Sequence, residues 1–165
     1  MKKRLLCWLL LLPLTLAVFA QRGQKDEGWS ELLPPGKGKE SVVMTCVGCH
    51  NLKSVVTARK TRDDWAKSVA DMIGRGAEIF PEELEPITAY LSAVFGPGVP
   101  KAVNVNTATR EELEKLPNMN PPLASRILAA RDSAGPFKNS DELRRALAIE
   151  QPDFEKIRYL LRYRN

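Results

Sequence analysis

Five consecutive residues, Cys46-Val47-Gly48-Cys49-His50, constrain this chain more than any other feature, because they bring two thiols and the sequence's single histidine into one short segment. Thiols at this spacing can add to the two vinyl groups of a haem as thioethers while the adjacent imidazole binds iron on one face, so each residue type has its own task. Two other chemistries compete for the same residues. A structural zinc site takes about four N or S ligands, whereas beyond Ala20 the chain offers two cysteines and one histidine. A thioredoxin-like redox pair opens a helix after a strand, and no alternating run precedes Cys46. The expected cofactor is therefore one haem c per chain, attached covalently through Cys46 and Cys49, with His50 as an axial ligand.

A single histidine excludes an intramolecular bis-histidine haem, and the second axial ligand has to come from elsewhere. Met44 lies two residues before the first thiol on the proximal segment, and Met119 belongs to the other half of the chain. Met72 ends an expected helix just before Gly74-Arg75-Gly76 and is the expected distal ligand, against an open or water-bound site. His and Met ligation together raise the reduction potential. Trp65, Tyr90 and Phe95 either pack on the porphyrin or form plain core. Arg59, Lys60 and Arg62 either pair with propionates or an acidic redox partner, or form a solvated face.

The amino terminus reads as a secretory signal over residues 1–20. Lys2, Lys3 and Arg4 precede an apolar stretch of fifteen residues from Leu5 to Phe19, which ends on Ala20. That stretch falls short of the roughly 20 residues a membrane-spanning helix needs. Export to the periplasm with removal of the segment is the expectation, leaving no transmembrane segment in the mature chain; Cys7 leaves with the signal. Residues 21–35, polar and then Pro-rich, read as a flexible leader.

The remainder divides in two. Helices are expected from Lys39 to the Cys49 turn, around Asp63 to Ile73, and between Pro81 and Phe95, with Pro86 kinking the last or marking its start. Residues 97–100 lie in a Gly/Pro-rich linker, too short to let the halves drift apart. Beyond it, Thr109-Arg110-Glu111-Glu112 is a capping-box pattern, Pro121 suits the first turn of a longer helix, and Asn139 to Glu142 is a second cap. Phe154, Ile157 and Leu161 line an expected final helix. The expected fold class is all-α. Charge is uneven: residues 21–100 carry ten basic and eleven acidic side chains, residues 101–165 twelve and nine, so anions are expected to meet the second half.

Gly36-Lys37-Gly38-Lys39-Glu40, the Cys46 to His50 motif, Trp65, Val69, Met72 and Tyr90-Leu91 together resemble the small class I cytochrome c domains over residues 36–96. That resemblance implies crossed first and last helices, His50 and Met72 as axial ligands, and an exposed haem edge. It also implies an electron-transfer protein, not itself an enzyme, whose redox partner is a periplasmic dehydrogenase.

Residues 101–165 resemble the tandem helix-hairpin-helix domain of bacterial competence DNA receptors, through Val103-Asn104-Val105-Asn106-Thr107-Ala108, Leu116-Pro117, Ala124, Ile127, Arg131 and Gly135-Pro136-Phe137. In that family each hairpin carries Gly-hydrophobic-Gly, whose backbone amides hold a DNA phosphate. Here Asn118-Met119-Asn120 and Ala148-Ile149-Glu150 stand at those positions. Asparagine tolerates left-handed backbone, while Glu150 sets a carboxylate where a phosphate would approach. Asn118, Met119 and Asn120, with Lys156, Arg158, Arg162 and Arg164, are the candidate phosphate or partner contacts, the last four forming a charged stripe on the expected final helix. The leading expectation is an exported monohaem electron carrier with the second domain as a docking module; the alternative is a haem-containing, competence-like DNA-binding protein.

Overall fold

The computed structural model describes residues 26–164, so the signal segment 1–20 and the first part of the leader lie outside the described residues. The rest of the leader belongs to the core. Gly28, at φ 79°, turns the chain into a 3-10 turn over Trp29–Leu32, and Trp29, Leu32 and Leu33 are buried. The Tyr90 hydroxyl then donates to the Pro34 carbonyl at 2.6 Å. The expectation of a flexible leader over 21–35 is corrected for its described part: three large apolar side chains outweigh the local Pro and Gly content.

Four helices follow: α1 over Lys39–Val47, α2 over Lys53–Thr57, α3 over Arg62–Gly74 and α4 over Pro81–Val94. Helix α1 starts at Gly38, whose φ of 99° and lack of a side chain are both needed, since a Cβ there would sit 2.4 Å from the Pro86 carbonyl oxygen. The start of α1 is thereby held against α4, and Pro86 lies inside α4. Thr61 caps α3 by accepting from the Asp64 amide. From α3, Trp65 and Val69 enter a core shared with Val42, Leu52, Val55, Ile87 and Leu91, and the Trp65 indole donates to the Phe95 carbonyl.

The linker after α4 is tied down by Arg59. Its guanidinium donates to the carbonyls of Val99 at 2.7 Å and Pro100 at 2.5 Å, and also to those of Val56 and Ala58. An arginine bridging two ends of a chain in this way satisfies several carbonyls that loops leave open.

The second half has its own core, built from Val105, Leu113, Ile127, Phe137, Leu143, Phe154, Ile157 and Leu161 among others. Helix α5 spans Arg110–Glu114, α6 Pro121–Ala134, α7 Ser140–Leu147 and α8 Gln151–Phe154. The Thr109 hydroxyl accepts from the Glu112 amide while Glu112 accepts from the Thr109 amide at 2.8 Å, a reciprocal capping box. Asn120 and Asn139 cap α6 and α7 through the amides of Leu123 and Glu142.

The ends of this half close on each other through a short parallel pairing of β1, Val103–Asn104, with β2, Leu161–Arg162. The Asn106 carboxamide clasps the same region, donating to the Phe137 and Tyr163 carbonyls and accepting from the Phe137 amide. This pairing corrects two expectations. The described chain is mostly helical but not wholly so, and the expected final helix stops at Phe154. It continues through i→i−3 bonds at Lys156 and Ile157 into a 3-10 turn over Arg158–Leu160 and then β2. Tighter turns let Ile157 and Leu161 both reach the core while the backbone straightens to pair with β1.

The two cores meet where the first 3-10 turn touches the second. Arg158 donates to the Glu31 carbonyl at 3.3 Å and Ser140 to the Glu31 carboxylate at 3.2 Å.

Candidate functional site

The Cys46 to His50 segment lies at the end of α1, where the amides of Cys49 and His50 both turn back to the Cys46 carbonyl. Cys46 is half-buried and Cys49 exposed, and both are free thiols. Burial, reinforced by the neighbouring Cys49, pushes the Cys46 thiol up to about 11. Both cysteines and His50 line a cavity of about 420 Å³, whose other walls include Val55, Trp65, Val69, Met72, Ile87 and Leu91. That volume falls in the range of small-molecule and cofactor sites, roughly 300 to 1,000 Å³.

His50 Nδ1 lies 2.6 Å from the Asn51 carbonyl oxygen. An oxygen there can only accept, so Nδ1 is the donor in this contact, and in a neutral ring Nε2 would keep the lone pair that a metal requires. Met72 is on the cavity, whereas Met44 is 81% exposed and points elsewhere. Trp65 lines the same cavity, while Tyr90 is committed to Pro34 and Phe95 lies under the Arg59 guanidinium. Among the three basic residues of that stretch, Lys60 reaches the cavity over the Trp65 ring. Arg59 serves the linker and Arg62 pairs with Glu85. Among the described residues no group of three or more His, Cys, Asp or Glu is placed to hold a metal ion. Two thiols, one imidazole and one thioether line a single cavity, the donor set that a covalently held haem would use.

The hairpins form the second place of interest. Asn118, at φ 60°, and Ala148, at φ 46°, hold the left-handed conformation at the first position of each hairpin, the geometry that a glycine adopts most readily. The Asn118 carboxamide contacts the Lys156 carbonyl at 3.4 Å, and Arg126 of α6 donates to the Leu147 carbonyl just before the second hairpin. These contacts tie the first hairpin to the segment after α8, and α6 to the end of α7. Asn118, Asn120 and Lys115 are exposed around the first hairpin, and the exposed Lys156 is brought beside it by the Asn118 contact.

Several candidate contacts are corrected by this geometry. Met119 is only 4% exposed and belongs to the core, so its side chain meets no ligand. Arg158 and Arg162 share no helical stripe, since one lies in a 3-10 turn and the other in β2. With Arg164 they line the cleft between the two cores. The donors of the first hairpin are also fewer than a glycine-rich hairpin would offer: Pro121 and Pro122 have no amide hydrogen, and the Leu123 amide is taken by Asn120. Lys115 and Arg126, which flank the hairpins, carry no distinguishing spacing in the sequence.

No helix among the described residues is long and apolar enough to cross a membrane. No solved structure matches the chain. Among curated proteins, ComE operon protein 1 of Bacillus subtilis (strain 168) is 38% identical over 56 residues, which are 34% of this chain and 27% of that protein. The chain thus spans only about a quarter of that relative's length. These comparisons give no support to a cytochrome c domain, to haem or to electron transfer, and they overturn the expectation of an electron carrier serving a dehydrogenase. Residues 100–162 match the helix-hairpin-helix motif family, and this half of the chain is a helix-hairpin-helix domain.

Proposed function

We propose that this is an exported, non-enzymatic DNA-binding protein that contacts the phosphate backbone of duplex DNA through its paired hairpins. The observation that carries the reading is the left-handed turn that opens each hairpin, at Asn118 and Ala148, with exposed Lys115 and Lys156 beside the first. Contacts of this kind position a protein on DNA without reading its sequence. The side chains set the strength. Pro121 and Pro122 remove amide donors and Glu150 opposes a phosphate, so the Asn118 carboxamide and the two lysines supply the attraction. Lys156 is held by Asp153 at 2.7 Å, but an exposed pair of this kind is worth little and yields readily to a phosphate.

Few contacts mean modest affinity. With two or three phosphates neutralised, log K should fall with log salt at a slope of about −2 to −3. Fluorescence anisotropy of a labelled duplex titrated with the full chain at several salt concentrations measures this slope. Absence of binding at low salt, or binding insensitive to salt, would remove the reading.

The cavity supports a second element. We propose that it holds one covalently attached haem, which Cys46 and Cys49 would carry through their sulfurs and whose iron His50 and Met72 would bind; on this reading haem is a bound group of a DNA-binding protein. When bound, the group supplies an iron whose ligands set its spectrum and potential. The chain's own part is clear from the walls: Val55, Val69, Ile87 and Leu91 exclude water, Lys60 supplies positive charge, and Asn51 fixes the tautomer of His50. Protein produced with a c-type maturation system should keep haem after denaturation, and Cys46→Ala with Cys49→Ala should lose it. Denatured protein free of haem in the unaltered chain would contradict the attachment.

A further inference from the structure

Arg126 links the helix that leaves the first hairpin to the turn that opens the second. Helix α6 begins at the Asn120 cap, and Arg126, in its second turn, donates to the carbonyl of Leu147, the last residue of α7. The next residue, Ala148, opens the second hairpin at φ 46°. The guanidinium therefore sits at the peptide unit from which that hairpin turns, and it fills a carbonyl of the kind that a helix end leaves open.

The backbone of the second hairpin offers a phosphate little. The amides of Ala148 and Ile149 turn back to the Arg145 and Arg144 carbonyls, Pro152 has no amide hydrogen, and the Asp153 amide bonds to the Glu150 carbonyl. The exposed Glu150 lies two residues beyond Ala148 and adds a carboxylate. A grip on phosphate at this hairpin has to draw on side chains.

Arg126 has donors to supply it. A guanidinium carries several N–H groups in a rigid fork that matches a phosphate, and the Leu147 carbonyl is the only partner of Arg126 among the described residues. Arg110 on α5 and Arg131 further along α6 pair with Glu114 and Asp132. Arg126 pairs with no carboxylate among the described residues, and it is exposed. One bond holds the group in place and leaves its other donors unspent, and a side chain fixed in this way loses less freedom on binding than a loose one.

We propose that Arg126 is the phosphate contact of the second hairpin, its guanidinium held by the Leu147 carbonyl through one N–H and meeting a backbone phosphate of duplex DNA through the others. On the reading of this half as a grip on DNA, which the assignment presupposes, the first hairpin works through Asn118, Lys115 and Lys156, and the second through an anchored arginine whose charge offsets that of Glu150. A contact of this kind holds the sugar-phosphate backbone and reads no base.

Arg126→Gln separates charge from position, because glutamine keeps a neutral N–H donor for the Leu147 carbonyl. In anisotropy titrations of the full chain it should weaken duplex binding by about tenfold at low salt and reduce the salt slope by about 1, to the same degree on duplexes of different sequence, with the unfolding midpoint unchanged. Arg126→Lys, which keeps the charge, should retain the slope. Arg62→Gln, the same loss of charge on the first half, should change affinity by less than about twofold, since distant exposed charges are screened. An unchanged slope in Arg126→Gln, a slope lost equally in Arg126→Lys, an equal loss in Arg62→Gln, or a loss confined to one sequence would overturn the contact and leave the hairpin reading in place. No duplex binding by the unaltered chain would remove both.

Discussion

The two halves of this protein spend their apolar residues differently. The first surrounds a cavity of about 420 Å³, with Val55, Val69, Ile87 and Leu91 as walls. The second closes its core fully around Leu113, Ile127, Leu143 and Phe154, and its two left-handed turns, at Asn118 and Ala148, are exposed outside that core. A core that stays open towards a Cys-His segment is shaped to take something in. A core that closes leaves recognition to turns and surface charge. Apolar residues surround a hollow in one case and pack to completion in the other.

The largest effect expected from this contrast is on stability. Leu143→Ala in the closed core should cost about 3 to 4 kcal/mol in denaturant unfolding. Leu91→Ala on the cavity wall of the haem-free chain should cost only about 2 kcal/mol, because a side chain facing a void has fewer neighbours to lose. Equal costs would break the comparison. Next comes the reciprocal cap of α5: Thr109→Ala should lose about 1 kcal/mol from the second half, with the near-ultraviolet signal of Trp65 in the first half unchanged. The smallest effect has the opposite sign. Ala148 holds φ 46° without being glycine, so Ala148→Gly should stabilise by about 0.5 to 1 kcal/mol. Asn118→Gly should be nearly neutral, since asparagine already tolerates this geometry. A destabilised Ala148→Gly protein would mean that the second hairpin is not strained.

Much of the second half could be read from residues alone, because its signals are local. Thr109 with Glu112, Pro121, and Asn139 with Glu142 each declare a helix start within four residues, and the structure places helices after all three. The long-range features could not be read in this way. Two-residue strands at Val103–Asn104 and Leu161–Arg162 are too short to show alternation, and they pair across almost the whole domain. Their pairing ends the last helix early and carries Arg162 and Arg164 away from the hairpins. Likewise Trp29, Leu32 and Leu33 sit among residues with a loop's composition, and only their place in the first core, beside α2 and the second 3-10 turn, explains their burial. The gathering of Cys46, Cys49, His50 and Met72 on one cavity could be anticipated for the first three by adjacency. Met72 depends on how the turn after α3 closes, where the Ala77 amide bonds to the Met72 carbonyl at 2.9 Å.

The central claim is that the paired hairpins grip DNA, and it is tested most directly by reversing their charge. Lys115→Glu combined with Lys156→Glu changes two exposed residues beside the hairpins. Duplex affinity measured by anisotropy at low salt should fall by at least about tenfold, and the salt slope should shrink by about 1 to 2, with the unfolding midpoint unchanged. An unaltered affinity and slope in the folded double variant would contradict the account, because any DNA binding would then lie away from the hairpins.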